Sequence, residues 1–134
     1  MTPVAEVEHE RLPRAARIRR TREIREVLRR GTRTSTPALD VYVLGASGPG
    51  GARAAGRPRV GWIVPKLGRG IVARNRLKRR LREIARRRVL ARLRRDGCAA
   101  HVLVRVRREG YGAAYNDLER QWMRVVEAAC SHRR

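Results

Sequence analysis

The stretch Arg74-Asn75-Arg76-Leu77-Lys78-Arg79-Arg80-Leu81-Arg82-Glu83 holds the most concentrated chemistry in the sequence. A guanidinium fork grips two phosphate oxygens at once and stacks on bases, so such a run suits the holding of a polyanion. It has no means of breaking a bond. Metal-assisted hydrolysis needs clustered carboxylates, and a metal-free route needs a paired acid and base. The acids Glu6, Glu8, Glu10, Glu23, Glu26, Asp40, Glu83, Asp96, Glu109, Asp117, Glu119 and Glu127 are instead scattered over the chain. His9, His101 and His132 form no metal-ligand spacing with Cys98 and Cys130. These residues give the protein no catalytic group, no metal site and no cofactor of its own. The two cysteines read as reduced thiols.

Lysine and arginine total 34 against 12 acids, a net charge of +22 with a pI near 11.9. A field of that sign implies a strongly negative partner. No run approaches the roughly 18 apolar residues of a membrane span, so no membrane partner is expected and nucleic acid remains. The N-terminal MTPVAEVEHE is acidic and lacks the basic-then-apolar order of a secretory signal, so a cytoplasmic location is expected. Only Lys66 and Lys78 are lysines. A coding bias toward Arg, Ala, Val and Gly accounts for part of that preference, but not for the net charge.

A run of cations needs a scaffold, and 134 residues allow one domain. The reading is a flexible tail over 1–12, one domain over 13–130 and a C-terminal tail over 131–134. A helix is expected over Ala15–Arg30, with Ile18, Ile24, Val27 and Leu28 apolar and Gly31 ending it. Thr32–Thr36 can form a short strand. Leu39–Gly45 alternates, with Leu39, Val41 and Val43 on one side and Asp40, Tyr42 and Leu44 on the other. A flexible Gly/Ala/Pro connection follows over 46–58. The next strand is Arg59–Pro65, with Val60, Trp62 and Val64 on one side. A basic helix runs from Ile71 to Arg95, and a last strand from Ala99 to Arg107 alternates Val102, Val104 and Val106 with His101, Leu103, Arg105 and Arg107. Ala114–Ala129 is the final helix, with Leu118, Trp122, Val125, Val126 and Ala129 at core-facing spacing.

Projecting the basic helix at about 100° per residue puts Leu77, Leu81, Ile84 and Ala85 in one sector. Asn75, Arg79, Arg82 and Arg86 fall nearly opposite, with Lys78 at the flank. One side docks on a sheet, and the other presents cations about one turn apart, ~5.4 Å, close to the spacing of phosphates along a strand. Glu83, the only acid between Arg69 and Arg95, can pair with Arg87. The other cations of that row have no intrahelical partner, a cost unless an anion neutralises them.

The Arg74–Glu83 block resembles the RNR signature of bacterial ribonuclease P proteins, R-N-R-x-K-R-x-x-R, at every defined position. Arg59-Val60-Gly61 and Val64-x-Lys66 stand at that family's distance upstream. Glu23-Ile24-x-x-Val27-Leu28-x-x-Gly31 resembles its first helix. The likeness covers roughly Leu12 to Ala129. It implies an α+β fold, an αβββαβα two-layer sandwich with a central sheet packed by helices and a left-handed βαβ crossover, an exception to the usual hand.

The family resemblance also implies a function. It is that of the RNA-binding protein subunit of ribonuclease P, which assists a catalytic RNA in endonucleolytic removal of the 5′ leader from precursor tRNA. Catalysis and Mg²⁺ then belong to the RNA subunit. The partners are that RNA and precursor tRNA, with no obligate protein partner. Arg74, Asn75, Arg76, Lys78, Arg79 and Arg82 become the surface near the catalytic RNA. Ile24, Leu28, Tyr42, Trp62, Val64 and Lys66 become the leader cleft. Tyr42 is read as a base contact, whereas for Trp62 packing and RNA contact stay open. Arg86, Arg105 and Arg107 are possible phosphate contacts, and Trp122 belongs to the core.

Three departures from the family stand out. Ile24 and Leu28 replace common phenylalanines, removing base stacking of ~1–3 kcal/mol each. Pro65-Lys66-Leu67 replaces Ser-Lys-Lys, and the 46–58 connection is long. The competing reading is a structural ribosomal RNA-binding protein, which composition alone admits and the RNR block disfavours. A sequence-specific DNA-binding protein is weaker still, because a strand rather than a partner helix precedes the basic helix.

Overall fold

Alternation builds the sheet. In β4 (His101–Val106) three valines alternate with His101, Leu103 and Arg105. Four of its six residues are buried, and it takes an interior place. The computed structural model describes residues 12–45 and 57–131. Its other strands are β1 (Thr32–Ser35), β2 (Leu39–Leu44) and β3 (Arg59–Ile63), in the spatial order β1-β2-β4-β3. β2 pairs antiparallel with β1 and β4, whereas β3 and β4 are parallel. A parallel pair requires a long crossover connection, and here the basic helix supplies it. β1, fully exposed along Thr-Arg-Thr-Ser, is a polar edge that discourages further pairing.

The main core lies on one sheet face. Leu39, Val41, Val60, Trp62, Val102 and Val104 meet Leu77, Leu81 and Ile84 of α2 (Ile71–Ile84), and Leu118, Trp122 and Val126 of the last helix (Tyr115–Ser131). Trp122 is fully buried, as its place in the apolar stripe predicts. The opposite face carries a smaller cluster of Ile18, Val27, Tyr42 and Leu103, flanked by Ile24, Leu28, Leu44 and Ile63. Among the described residues α1 (Thr21–Arg30) and Ile18 of the segment before it cover that face, and Val27 is the one buried residue of α1. The architecture is α+β in the order αβββαβα, a sheet-and-helix sandwich with α1 as a partial layer behind it.

The expected helix over Ala15–Arg30 is shorter. A 3₁₀ turn, Arg14–Ala16, precedes an extended segment that bridges β3 at Arg17 and Val60, and the Ile18 amide donates to the Val60 carbonyl at 2.7 Å. The sheet edge thus outbids the helix for these amides, and Ile18 packs as a strand residue. Gly61 permits the close approach, since a Cβ there would lie 2.9 Å from the Ile18 carbonyl oxygen. Gly31 does end α1, but not through a left-handed turn. Its φ is −74°, and a Cβ would stand 2.6 Å from the Val27 carbonyl oxygen.

The basic helix is one rod in three parts: α2, a π-helical turn over Ala85–Val89, and α3 (Leu90–Arg95). Leu77, Leu81, Ala85, Val89 and Leu93 recur every four residues and are all buried. In a straight α-helix a four-residue repeat drifts ~40° per step, which would carry Leu93 away from the sheet. The wider π turn absorbs the drift. Tyr115–Ser131 is α4. The expected tails over 1–12 and 131–134, and nearly all of the 46–58 connection, lie outside the described residues, which include only Leu12, Arg57, Pro58 and the backbone of Ser131 from those ranges.

Candidate nucleic-acid interface

The rod divides electrically. In its C-terminal half four of the six arginines pair with the protein's own carboxylates. Arg86 and Arg87 stand 2.5 and 3.8 Å from Glu83, Arg88 is 3.0 Å from Glu119, and Arg92 lies 2.7 Å from Asp96 and 3.0 Å from Glu127. In the N-terminal half, Arg76, Lys78, Arg79, Arg80 and Arg82 have no carboxylate partner among the described residues. Acids are not lacking. Eight of the nine described carboxylates stand against an arginine, yet none against these five cations. The cations without a carboxylate partner are therefore densest along α2, between Arg76 and Arg82.

Asn75, Arg76, Arg79 and Arg82 are exposed, and Lys78 is half-buried at the flank, so the predicted outer row forms. Arg74 turns inward: its Nη2 donates to the Val64 carbonyl at 3.4 Å, and its Nε is buried without a partner. Arg86 departs from the expected row. Its side chain is only 10% exposed and is paired with Glu83 one turn before it. It is not an open phosphate contact.

The second candidate surface lies between α1 and the bare end of the sheet. Ile24, Leu28 and Tyr42 do come together there, over Leu103 and Ile63. Tyr42 is 7% exposed, so packing covers most of its ring. Arg105 is exposed on this face, in register with Asp40 and Ile63. Arg107 is exposed but its Nη1 already donates to the Thr36 carbonyl at 2.9 Å. Lys66 is exposed in the turn after β3, where Leu67 and Gly68 both have positive φ.

Trp62 and Val64 do not join this cleft. The period-two pattern places Trp62 beside Val60 on the opposite face, and both Trp62 and Val64 are buried in the main core. The Arg17 guanidinium covers the Trp62 ring at 4.3 Å. Burial, then the like charges of Arg82 and Arg19, push the Arg17 pKa down. Sequence reasoning passed over Arg17, for which the basic composition left no distinguishing signal. It also passed over Leu103 and Ile63 as cleft residues, although both are apolar residues on a strand's outward parity.

A Glu23 carboxylate anchors the cleft wall. Arg59 holds it with Nη1 at 2.7 Å and Nη2 at 3.1 Å, and Nη2 also donates to the Arg17 carbonyl at 2.6 Å. The bond from Arg59 holds the Glu23 carboxyl below its ordinary range. The thiols are not nucleophiles: Cys98 and Cys130 are buried, and burial with a bond to Cys98 pushes Cys130 up to about 12. Among the described residues no three metal-ligating side chains cluster, and no helix is long and apolar enough to cross a membrane.

Known proteins resemble this chain in sequence and in fold. A sequence model of the family Ribonuclease P matches residues 12–130. The ribonuclease P protein component of Streptomyces avermitilis is 40% identical over 80 residues, 58% of this chain and 65% of its own length. That of Beutenbergia cavernae is 41% identical over 78 residues, 58% and 60% respectively. The matched stretch is thus less than two thirds of these relatives' length. In fold, the RNase P protein of Staphylococcus aureus aligns with a TM-score of 0.65 at 19% identity, covering 87% of this chain and 96% of its own. That of Thermotoga maritima gives 0.64 at 18% identity, covering 84% and 96%.

Proposed function

Because this chain belongs to the ribonuclease P protein family, we propose that it is the RNA-binding subunit of a tRNA-processing ribonucleoprotein, assisting a catalytic RNA in removing the 5′ leader of precursor tRNA. The observation that carries this reading is the unneutralised front half of the basic rod, kept free of carboxylates that the protein spends elsewhere. Its exposed cations follow a phosphate backbone. On the opposite side of the sheet, the cleft of Ile24, Leu28 and Tyr42 offers apolar packing and the Arg105 charge to an unpaired leader.

The protein's part is to bind and position. Two anionic RNA segments brought against one strongly positive body repel each other less, which lowers the cost of their approach. In this reading Mg²⁺ belongs to the RNA; eight of the nine described carboxylates stand against arginines, and no three metal-ligating side chains cluster among the described residues. No step is routed through a protein-bound metal. The cytoplasm is the matching location.

The test is reconstitution. Purified protein is mixed with the cognate ribonuclease P RNA and a precursor tRNA at low Mg²⁺. Faster 5′ processing and tighter precursor binding are expected, and an unchanged rate and affinity would refute the assignment.

A further inference from the structure

The flank of α2 that faces away from β3 holds a separate feature. A groove of about 350 Å³ opens between this helix and the 3₁₀ turn Arg108–Gly112. It falls at the small end of ligand pockets, which span ~300–1,000 Å³. Arg69, Arg76, Arg80 and Tyr111 carry its chemistry, and Ala73, Ala113 and other small residues leave the space between them open. The groove wall contains no acid, and none of the three arginines has a carboxylate partner among the described residues.

The aromatic ring is held in place. Tyr111 donates its hydroxyl hydrogen to the Pro65 carbonyl at 2.5 Å, and the Arg69 guanidinium lies 5.0 Å from the ring centroid. This bond spans from the turn after β4 to the end of β3, so it fixes the groove mouth to the sheet. A guanidinium beside an anchored ring is a platform for a flat, π-bearing group, and the two further guanidiniums suit a phosphate. A bare anion would use the charges but not the ring. Three like charges around so small a space are costly until an anion enters.

We propose that this groove takes one unstacked nucleotide of the bound RNA, with its base against Tyr111 and Arg69 and its phosphate between Arg76 and Arg80. The inference rests on the RNA-binding reading above and adds a base contact beside the outer row, with which it shares Arg76, and apart from the α1 cleft. It gives the protein a fixed register on its RNA, where a row of cations alone would let a phosphate backbone slide.

The experiment measures affinity of the full chain for its cognate ribonuclease P RNA. Tyr111→Leu, and separately Arg69→Gln with Arg80→Gln, are each expected to weaken binding roughly tenfold, while Tyr111→Phe, which keeps the ring, stays near wild type. Ultraviolet irradiation of the wild-type complex, followed by mass spectrometry, is expected to leave a nucleotide on the peptide containing Tyr111. That readout needs no variant to fold. Wild-type affinity in Tyr111→Leu, or the absence of that cross-link, overturns the groove while leaving RNA binding intact. Failure of the wild-type protein to bind the RNA at all overturns the underlying reading as well.

Discussion

Glu23 does for α1 what burial does not. This helix has one buried side chain, Val27, so its position over the sheet depends on the fork of Arg59 around the Glu23 carboxylate. The pair is partly exposed, and its contribution is on the order of 1 kcal/mol. Because the folded-state pKa is depressed, that contribution is complete above the unfolded carboxylate value of ~4.3 and is lost as pH falls through the lower folded value. Glu23→Gln is therefore expected to lower the unfolding free energy from urea denaturation at neutral pH by about that amount, with the gap to wild type closing in strong acid. A gap independent of pH would contradict this role. Arg86 teaches the complementary lesson. It sits in a run of cations like its neighbours, and only its contact with Glu83 separates it from the open row.

The basic rod shows how an element adjusts to its own pattern. The buried repeat of four from Leu77 to Leu93 does not fit the α-helical period, and the π turn over Ala85–Val89 reconciles them. A π turn amounts to one residue inserted into an α-helix. Deletion of Arg87 is accordingly expected to give an uninterrupted helix with Leu90 and Leu93 still buried, at a cost within about 1 kcal/mol. Deletion of Arg79, inside the regular α2, would instead rotate everything beyond it by ~100° and expose core leucines, with losses of several kcal/mol. Denaturant unfolding of the two deletions compares them directly, and equal losses would show that the π turn has no adaptive role.

For the whole molecule the governing quantity is charge, +22 over 134 residues. The structure does not spread this charge evenly. Glu83, Glu119 and Glu127 quiet the rear of the rod, and the front stays positive. If about six phosphates are neutralised there, the slope of log affinity against log salt will be roughly −4 to −5.5. Arg79→Gln with Arg82→Gln should make that slope shallower by about 1.5 to 2 while leaving circular dichroism unchanged. A slope unaltered by the double substitution would place the phosphate contacts elsewhere.

The local pattern of the chain determined most of this architecture. Period-two valines fixed the strands, the spacing of Leu118, Trp122 and Val126 fixed the last helix, and Arg74–Arg82 marked a concentrated row of cations. These features depend on neighbours a few residues away, and sequence records such neighbours directly. Tertiary structure decided which charges stay open, because Glu119 and Glu127 meet Arg88 and Arg92 only once α4 packs beside the rod. It sent Trp62 to the core and Leu103 to the cleft, since the sheet has helices on both faces and strand parity cannot say which face carries the larger core. It turned the start of the first predicted helix into an extended edge, where the amide of Ile18 finds the carbonyl of Val60 some 42 residues later. Long-range partners of this kind leave no local trace, and they are what set which charges and apolar side chains the surface presents.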